Sequence, residues 1–338
     1  MQNKNTFAFF VLLSLCFGLI IFSLFIGKYS LSASEYLSYF NALIKGDVSR
    51  HLDIHTVFFE LRFPRVLACV IIGAALSISG SAYQAMFVNP LVSPSILGVL
   101  SGAGFGAALG MFFGLTPFYV GLSTFVFGVV AVCVSLGFVI VFNSGKGIIL
   151  LVLGGIISSS FFTSLLSILK YAADPNDTLP NITYFLMGSL SFASAKAVFW
   201  AALPMLFGIV MLCFCFKGLN ALSLGEEEAK SLGIDAMRFK IFVIILATFI
   251  SALSVSMAGV IGWIGLIVPH ITRFLFSSDN KIVLPFSALI GAMFLLVCDD
   301  LSRILFEYEI PIGIITSLIG IPVFVAILFR VKGGFGAN

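Results

Sequence analysis

From Phe7 to Ile26 the sequence is one apolar run without a charged side chain, and runs of similar length recur to the end of the chain. A helix needs ~20 apolar residues to cross the hydrocarbon core of a bilayer. The composition agrees: of 338 residues, 60% are hydrophobic and 10% charged, with a mean hydropathy of +1.16. Soluble domains average roughly 45–50% apolar and about 25% charged. So few charges cannot cover a soluble surface of this size. The runs are continuous, which excludes a membrane β-barrel, whose strands alternate apolar and polar residues over ~10 positions. The expectation is an all-α integral membrane protein with about ten spans. They fall at about 7–28, 57–87, 95–113, 118–142, 148–170, 196–216, 239–258, 264–276, 281–304 and 312–330. The second is longer than a bilayer needs, so it tilts or begins outside the membrane. The eighth is short and contains Pro269.

Lys4 precedes the first run as in a signal peptide, but the run is long for that role and no small-residue cleavage site follows, so it is read as a retained span. The net charge of +3 implies no nucleic-acid partner. The six cysteines, Cys16, Cys69, Cys133, Cys213, Cys215 and Cys298, all lie in apolar runs without zinc or disulfide spacing. They are expected to be small buried hydrophobes. With the N-terminus inside, the 18 Lys and Arg divide 10 inside to 8 outside, a weak positive-inside bias. Arg50, Arg62, Arg65 and Arg303 then lie outside and need another explanation. The longest loops, 29–56, 171–195 and 217–238, are too short for a core of their own.

Gly102, Gly106, Gly110 and Gly114 recur every fourth residue, which predicts a flat groove for close helix packing. No Walker A motif exists; Gly145-Lys146-Gly147 lacks the earlier glycine and the Ser/Thr. If ATP drives this protein, another chain hydrolyses it. In the loop 222–235, Ser223 and Glu226 have capping-box spacing, three glutamates favour a positive helix end, Gly233 suits a left-handed cap and Asp235 can cap the next helix. His51 and His55 lie four apart with Asp53 on the opposite face, too few ligands for a metal site. His270 after Pro269 reads as a packing or helix-end group. Asp299 and Asp300 are placed to bond Arg303 within one helix. The middles of the other spans carry almost no ionisable group, whereas an ion-coupled secondary transporter keeps carboxylates at the midplane.

The stretches Glu60-Leu-Arg-Phe-Pro-Arg-Val-Leu-Ala68, Gly73–Gly80, Gln84, Asn89-Pro-Leu, Ser93-Pro and Leu97–Ala103, then Gly225–Gly233, Ala258–His270, Arg273 and Ile310–Gly320, occur in that order. Together they resemble the FecCD-type permease subunits of bacterial ABC importers for iron–siderophores, haem and cobalamin, a family that also includes a few molybdate and tungstate importers. The resemblance implies one permease domain over 1–338 with the type II ABC importer fold and ten spans. It also implies pairing with a second copy around a central pore in the cytoplasmic (inner) membrane. Two ATP-binding subunits would dock inside and a substrate-binding protein outside. The chain would be no enzyme and hold no cofactor or metal, ATP and magnesium belonging to the partner ATPase. By the same resemblance, Gly225, Glu226, Glu227, Glu228, Ala229, Leu232 and Gly233, within a loop of about 217–238, form the ATPase-coupling element. Arg62, Arg65 and Arg303 pair with glutamates of the binding protein. The gate position, where the family often has small polar side chains, holds the apolar Gly147-Ile148-Ile149. Metal-chelate import is the expected function and oxyanion import the alternative; a secondary transporter is the alternative of another class.

Overall fold

The computed structural model describes residues 2–29, 32–45, 52–142, 147–192 and 195–335. His51, Arg50, Gly145 and Lys146 lie outside them. The described elements are helical: α1 Gln2–Phe25, α2 Ala33–Lys45, α3 Leu52–His55, a π-helical stretch Thr56–Arg62, α4 Phe63–Phe87, a short 3-10 turn Pro94–Leu97, α5 Val99–Phe112, α6 Pro117–Phe142, α7 Gly147–Ala172, α8 Thr178–Leu186, a 3-10 turn Leu190–Phe192, α9 Ala195–Phe214, α10 Phe216–Leu224, α11 Glu226–Ser231, α12 Ala236–Ala258, α13 Ile264–Leu275, α14 Asn280–Ile304 and α15 Ile312–Phe335. Among the described residues, 7 helices are long and apolar enough to cross a membrane. The shorter apolar helices Val99–Phe112, Ile264–Leu275 and Ile312–Ile327 stand where the other three expected spans fall. The long second run is α3, the π-helical stretch and α4 joined end to end. The 12 residues of α13 rise only about 18 Å at ~1.5 Å each, less than the ~30 Å hydrocarbon core.

The core is built around α4, whose side chains are almost all buried, with α9, α12, α13 and α14 packed on it. Glycines set those distances. A Cβ on Gly73 would lie 2.3 Å from the Gly291 carbonyl oxygen, and one on Gly80 would lie 1.8 Å from that of Gly265. Backbone therefore touches backbone at two heights, two turns apart, on one face of α4, which maximises dispersion contact where lipid gives no hydrophobic drive. The groove expected on α5 forms at Gly102 and Gly106, where a Cβ would lie 2.3 Å from Phe127 O and 2.4 Å from Ser123 O of α6, and continues at Gly110, facing Val120. Gly114 is not part of it. It sits past the end of α5 at φ +63° with open space around it and makes the turn into α6. The expectation of buried cysteines also needs correction: Cys133 is exposed and Cys213 half-buried. Both lie on apolar helices whose outer faces meet lipid.

Candidate functional site

Polar chemistry gathers at the two ends of α4. Ala85, near the Gly233 end, is 20 residues from Arg65, about 30 Å along the helix.

At the Gly233 end, α10 is braced by Asn220, whose Nδ2 donates to Asp279 Oδ1 (2.7 Å) and whose Oδ1 accepts from the Asn280 amide (2.9 Å). Gly225, at φ +132°, turns the chain into α11. The expected Ser223–Glu226 capping box does not form. Ser223 is still inside α10, and its hydroxyl donates to Leu219 O at 2.8 Å. Glu226 instead forms an ion pair with Lys240 of α12. Ala229 is fully buried and pins α11 to the fold. The other end closes as expected. Gly233 has φ +80°, its amide donates to Lys230 O (2.9 Å) and the Ile234 amide to Ala229 O (3.0 Å), a left-handed cap. Asp235 Oδ1 accepts from the Arg238 amide at 3.1 Å and starts α12. Glu227, Glu228 and Leu232 remain exposed on this fixed element.

At the Arg65 end the expected geometry changes. Arg62 and Arg303 are each only 5% exposed. Arg62 donates to the carbonyl oxygens of Leu24 and Phe25 (both 3.1 Å) and Tyr29 (2.7 Å), and to the Tyr36 hydroxyl. It thereby caps α1 and ties α2 to it. Arg303 pairs with Asp300, donates to Ser23 Oγ (2.8 Å) and Ile26 O (2.7 Å), and places Nε 3.0 Å from Asp299 Oδ2, an ion contact short of hydrogen-bond geometry. The helical pairing of Asp299 and Asp300 with Arg303 is as expected. Arg62 and Arg303 are thus buried and largely engaged within the chain, with Arg303 Nε left without a hydrogen bond. Arg65 is the least buried of the three: Nε donates to Asp299 Oδ1 (2.9 Å) and Nη1 to both oxygens of Glu309 (2.9 and 3.0 Å). Ser191 Oγ also donates to Glu309 (2.9 Å), and Lys28 to Glu307 O (2.6 Å). Burial pulls the Glu309 carboxyl upward, but Arg65 and Ser191 outweigh it and hold it below its ordinary range. Sequence reasoning missed Glu309 and Ser23. Three arginines among few charges demand counter-charges, and the acidic Glu307-Tyr-Glu309 loop before Pro311 was the available signal.

The third expected site, Gly147-Ile148-Ile149, is the start of α7, with Ile149 exposed. Farther along α7, Ser160, Thr163, Ser164 and Ser167 are exposed or nearly so on one stripe, with Ser164 donating to Ser160 O and Ser167 to Thr163 O, both at 2.9 Å. His55 is engaged locally, its Nδ1 2.8 Å from the Tyr39 hydroxyl. His270 packs its ring against Phe324.

A multi-helix membrane bundle with a rigid polar element at one end and a neutralised charge cluster at the other has the form of a transport permease. The chain belongs to the FecCD transport family, which it matches over residues 13–330. It is 37% identical over 318 residues to the molybdate import system permease protein of Haemophilus influenzae, covering 93% of each chain. It is 35% identical to the "probable iron chelatin transport system permease protein" of Helicobacter pylori, over 94% of this chain and 97% of that one. A solved inward-facing structure of a metal-chelate type ABC transporter superposes with a TM-score of 0.85 at 36% identity, covering 96% of this chain and 99% of the other. The chain is a multi-pass permease subunit of an ABC importer.

Proposed function

We propose that two copies of this chain form a pore in a bacterial cytoplasmic membrane and pass a metal chelate, of the iron–siderophore, haem or cobalamin class, inward. ATP is hydrolysed, with magnesium, in two partner subunits at the Gly233 end. A binding protein delivers cargo at the Arg65 end. The observation that carries the reading is α11: a short helix fixed by Ala229, Lys240 and the Gly233 cap, presenting Glu227, Glu228 and Leu232 outward. A rigid projection transmits a partner's movement into α12 and the bundle; a loose loop absorbs it. The chain itself takes no cofactor in this reading.

The hydroxyl stripe on α7 supplies a polar, uncharged lining, with the apolar Gly147–Ile149 end as the constriction; such rings gate by excluding water. Docking of the binding protein falls to Arg65, where a partner carboxylate competes with Glu309. The H. influenzae relative supports molybdate as a second cargo reading. A secondary transporter fits poorly, because Asp299 and Asp300 lie near one end of α14 and are already neutralised. Proteoliposomes holding the permease, its ATPase and its binding protein decide between cargoes. ATP-dependent uptake of a ferric chelate without uptake of molybdate supports the first reading, and the reverse supports the second. Tight stoichiometric binding of either cargo to the isolated permease returns the case to secondary transport.

A further inference from the structure

Helices α6 and α9 both pack on α12 but scarcely touch each other, and a groove of about 710 Å³ opens between them. That volume lies within the range of small-ligand sites, about 300–1,000 Å³. Gly121 and Phe125 form one wall, Ala201 and Pro204 the other, and Leu253 and Met257 the floor. The small residues keep the slot open: a Cβ on Gly121 would meet nothing closer than 3.9 Å. Its one serine, Ser256, is satisfied by donating to Leu253 O at 2.8 Å. An ionic cargo therefore finds no ligands along the walls.

The mouth is different. Lys196 opens α9 there, is exposed, and forms no ion pair among the described residues. One turn on, Trp200 is 76% exposed, and Tyr119 stands exposed near the start of α6. Trp and Tyr collect where hydrocarbon meets headgroups. The contact between Phe199 and Phe63 (centroids 6.3 Å apart) sets this mouth level with the first turn of α4, at the Arg65 end. An unpaired ammonium at headgroup depth above a dry, chain-wide slot is complementary to one thing a membrane supplies. We propose that the groove holds an acyl chain of a membrane phospholipid whose phosphate sits on Lys196.

The test is native mass spectrometry of the purified, delipidated full chain titrated with phosphatidylglycerol and with diacylglycerol of the same acyl chains. The expected result is one phosphatidylglycerol per chain and at least about tenfold weaker diacylglycerol binding, the order of one charge-assisted hydrogen bond. Lys196→Ala should weaken phosphatidylglycerol by a similar factor, Lys196→Arg should retain it, and Ala201→Phe should block the slot. Brominated phosphatidylglycerol should quench the fluorescence that Trp200→Phe removes. Equal binding of the two lipids, or no effect of Lys196→Ala, overturns the phosphate assignment whether or not Ala201→Phe folds. A dimer in which Trp200 escapes quenching gives the groove to the second copy and overturns the proposal.

Discussion

The two polar ends of α4 hold their charges in opposite ways. At the Arg65 end, Arg65, Arg303, Asp299 and Asp300 are buried or nearly so and Glu309 is half-exposed, each paired within the chain. At the Gly233 end, Glu227 and Glu228 face solvent, the Asp235–Arg238 pair is exposed, and in the pair of Glu226 with the buried Lys240 the carboxylate is half-exposed. Removing a partner from a buried pair costs about 3–5 kcal/mol, whereas an exposed pair contributes about 0–1 kcal/mol. The first end is therefore a lock on the fold, joining α1, α4, α14 and the 305–311 loop. The second is a surface whose value lies in what it touches.

The largest break in that contrast is Asp299→Ala. Asp299 is fully buried between two guanidinium groups, so its loss should cost about 3–5 kcal/mol. The expected outcome is a large fall in thermal midpoint in detergent, or failure to recover monodisperse protein. A midpoint near wild type would mean that Arg65 and Arg303 are solvated and the lock is not one.

Much of this was legible in the sequence, and the misses have physical causes. The spans were readable because hydrocarbon demands long apolar runs and nothing else supplies them. The glycine contacts on α5 were readable from one helix's spacing, but those of Gly73 and Gly80 depend on Gly291 and Gly265, which sequence does not place beside them. The same Ser-x-x-Glu pattern occurs at Ser32–Glu35 and at Ser223–Glu226. It is a true capping box only at the first, where Ser32 N and Oγ both donate to Glu35 Oε2 (2.6 and 2.7 Å) and open the unforeseen helix α2. At the second, Ser223 is spent on the preceding helix. The arginines were read as external because span-end charges opposed the inside bias. The pairing of Arg303 with Asp299 and Asp300 was legible from their helical spacing. The partners of Arg62, Leu24 and Phe25, and of Arg65, Asp299 and Glu309, come from other parts of the chain, and pairing at such separation leaves no local signal.

A smaller break is Glu309→Gln, which removes a charge from bonds to Arg65 and Ser191. Hydrogen bonds to charged groups contribute about 1.5–3 kcal/mol, so a loss in that range is expected near neutral pH. Because the folded carboxyl titrates below its ordinary range, its contribution is present above the unfolded value and is lost as pH falls through the lowered one. The gap in thermal midpoint between wild type and Glu309→Gln should narrow between pH 6 and about pH 3. A gap that does not change with pH would assign the effect to shape rather than charge.

At the other end, Gly233→Val forces a β-branched residue to φ +80°. A left-handed conformation costs about 1–2 kcal/mol. The permease should still fold and dimerise, with a modest fall in midpoint, but lose substrate-stimulated ATPase activity in the reconstituted complex. Full stimulation would remove α11 from the coupling path.

The smallest stability change sharpens the comparison most. Glu226 is half-exposed but Lys240 is buried. Once Glu226 is gone the flexible lysine stem can carry its ammonium to the adjoining solvent. Glu226→Ala should therefore cost about 1 kcal/mol, at the top of the range for exposed pairs and below that of a buried one, and be insensitive to added salt. Glu226 is nonetheless the only charged tie from α11 to α12 among the described ion pairs. If α11 works by rigidity, releasing that tie should lower ATP-coupled uptake well beyond the change in stability, and Glu226→Asp, which keeps the charge on a shorter arm, should recover part of it. The measurement is uptake per ATP hydrolysed, set against thermal midpoint, for wild type and both variants. Uptake that merely follows the midpoint would make the two ends of α4 alike, both serving the fold, and would end the division between lock and lever.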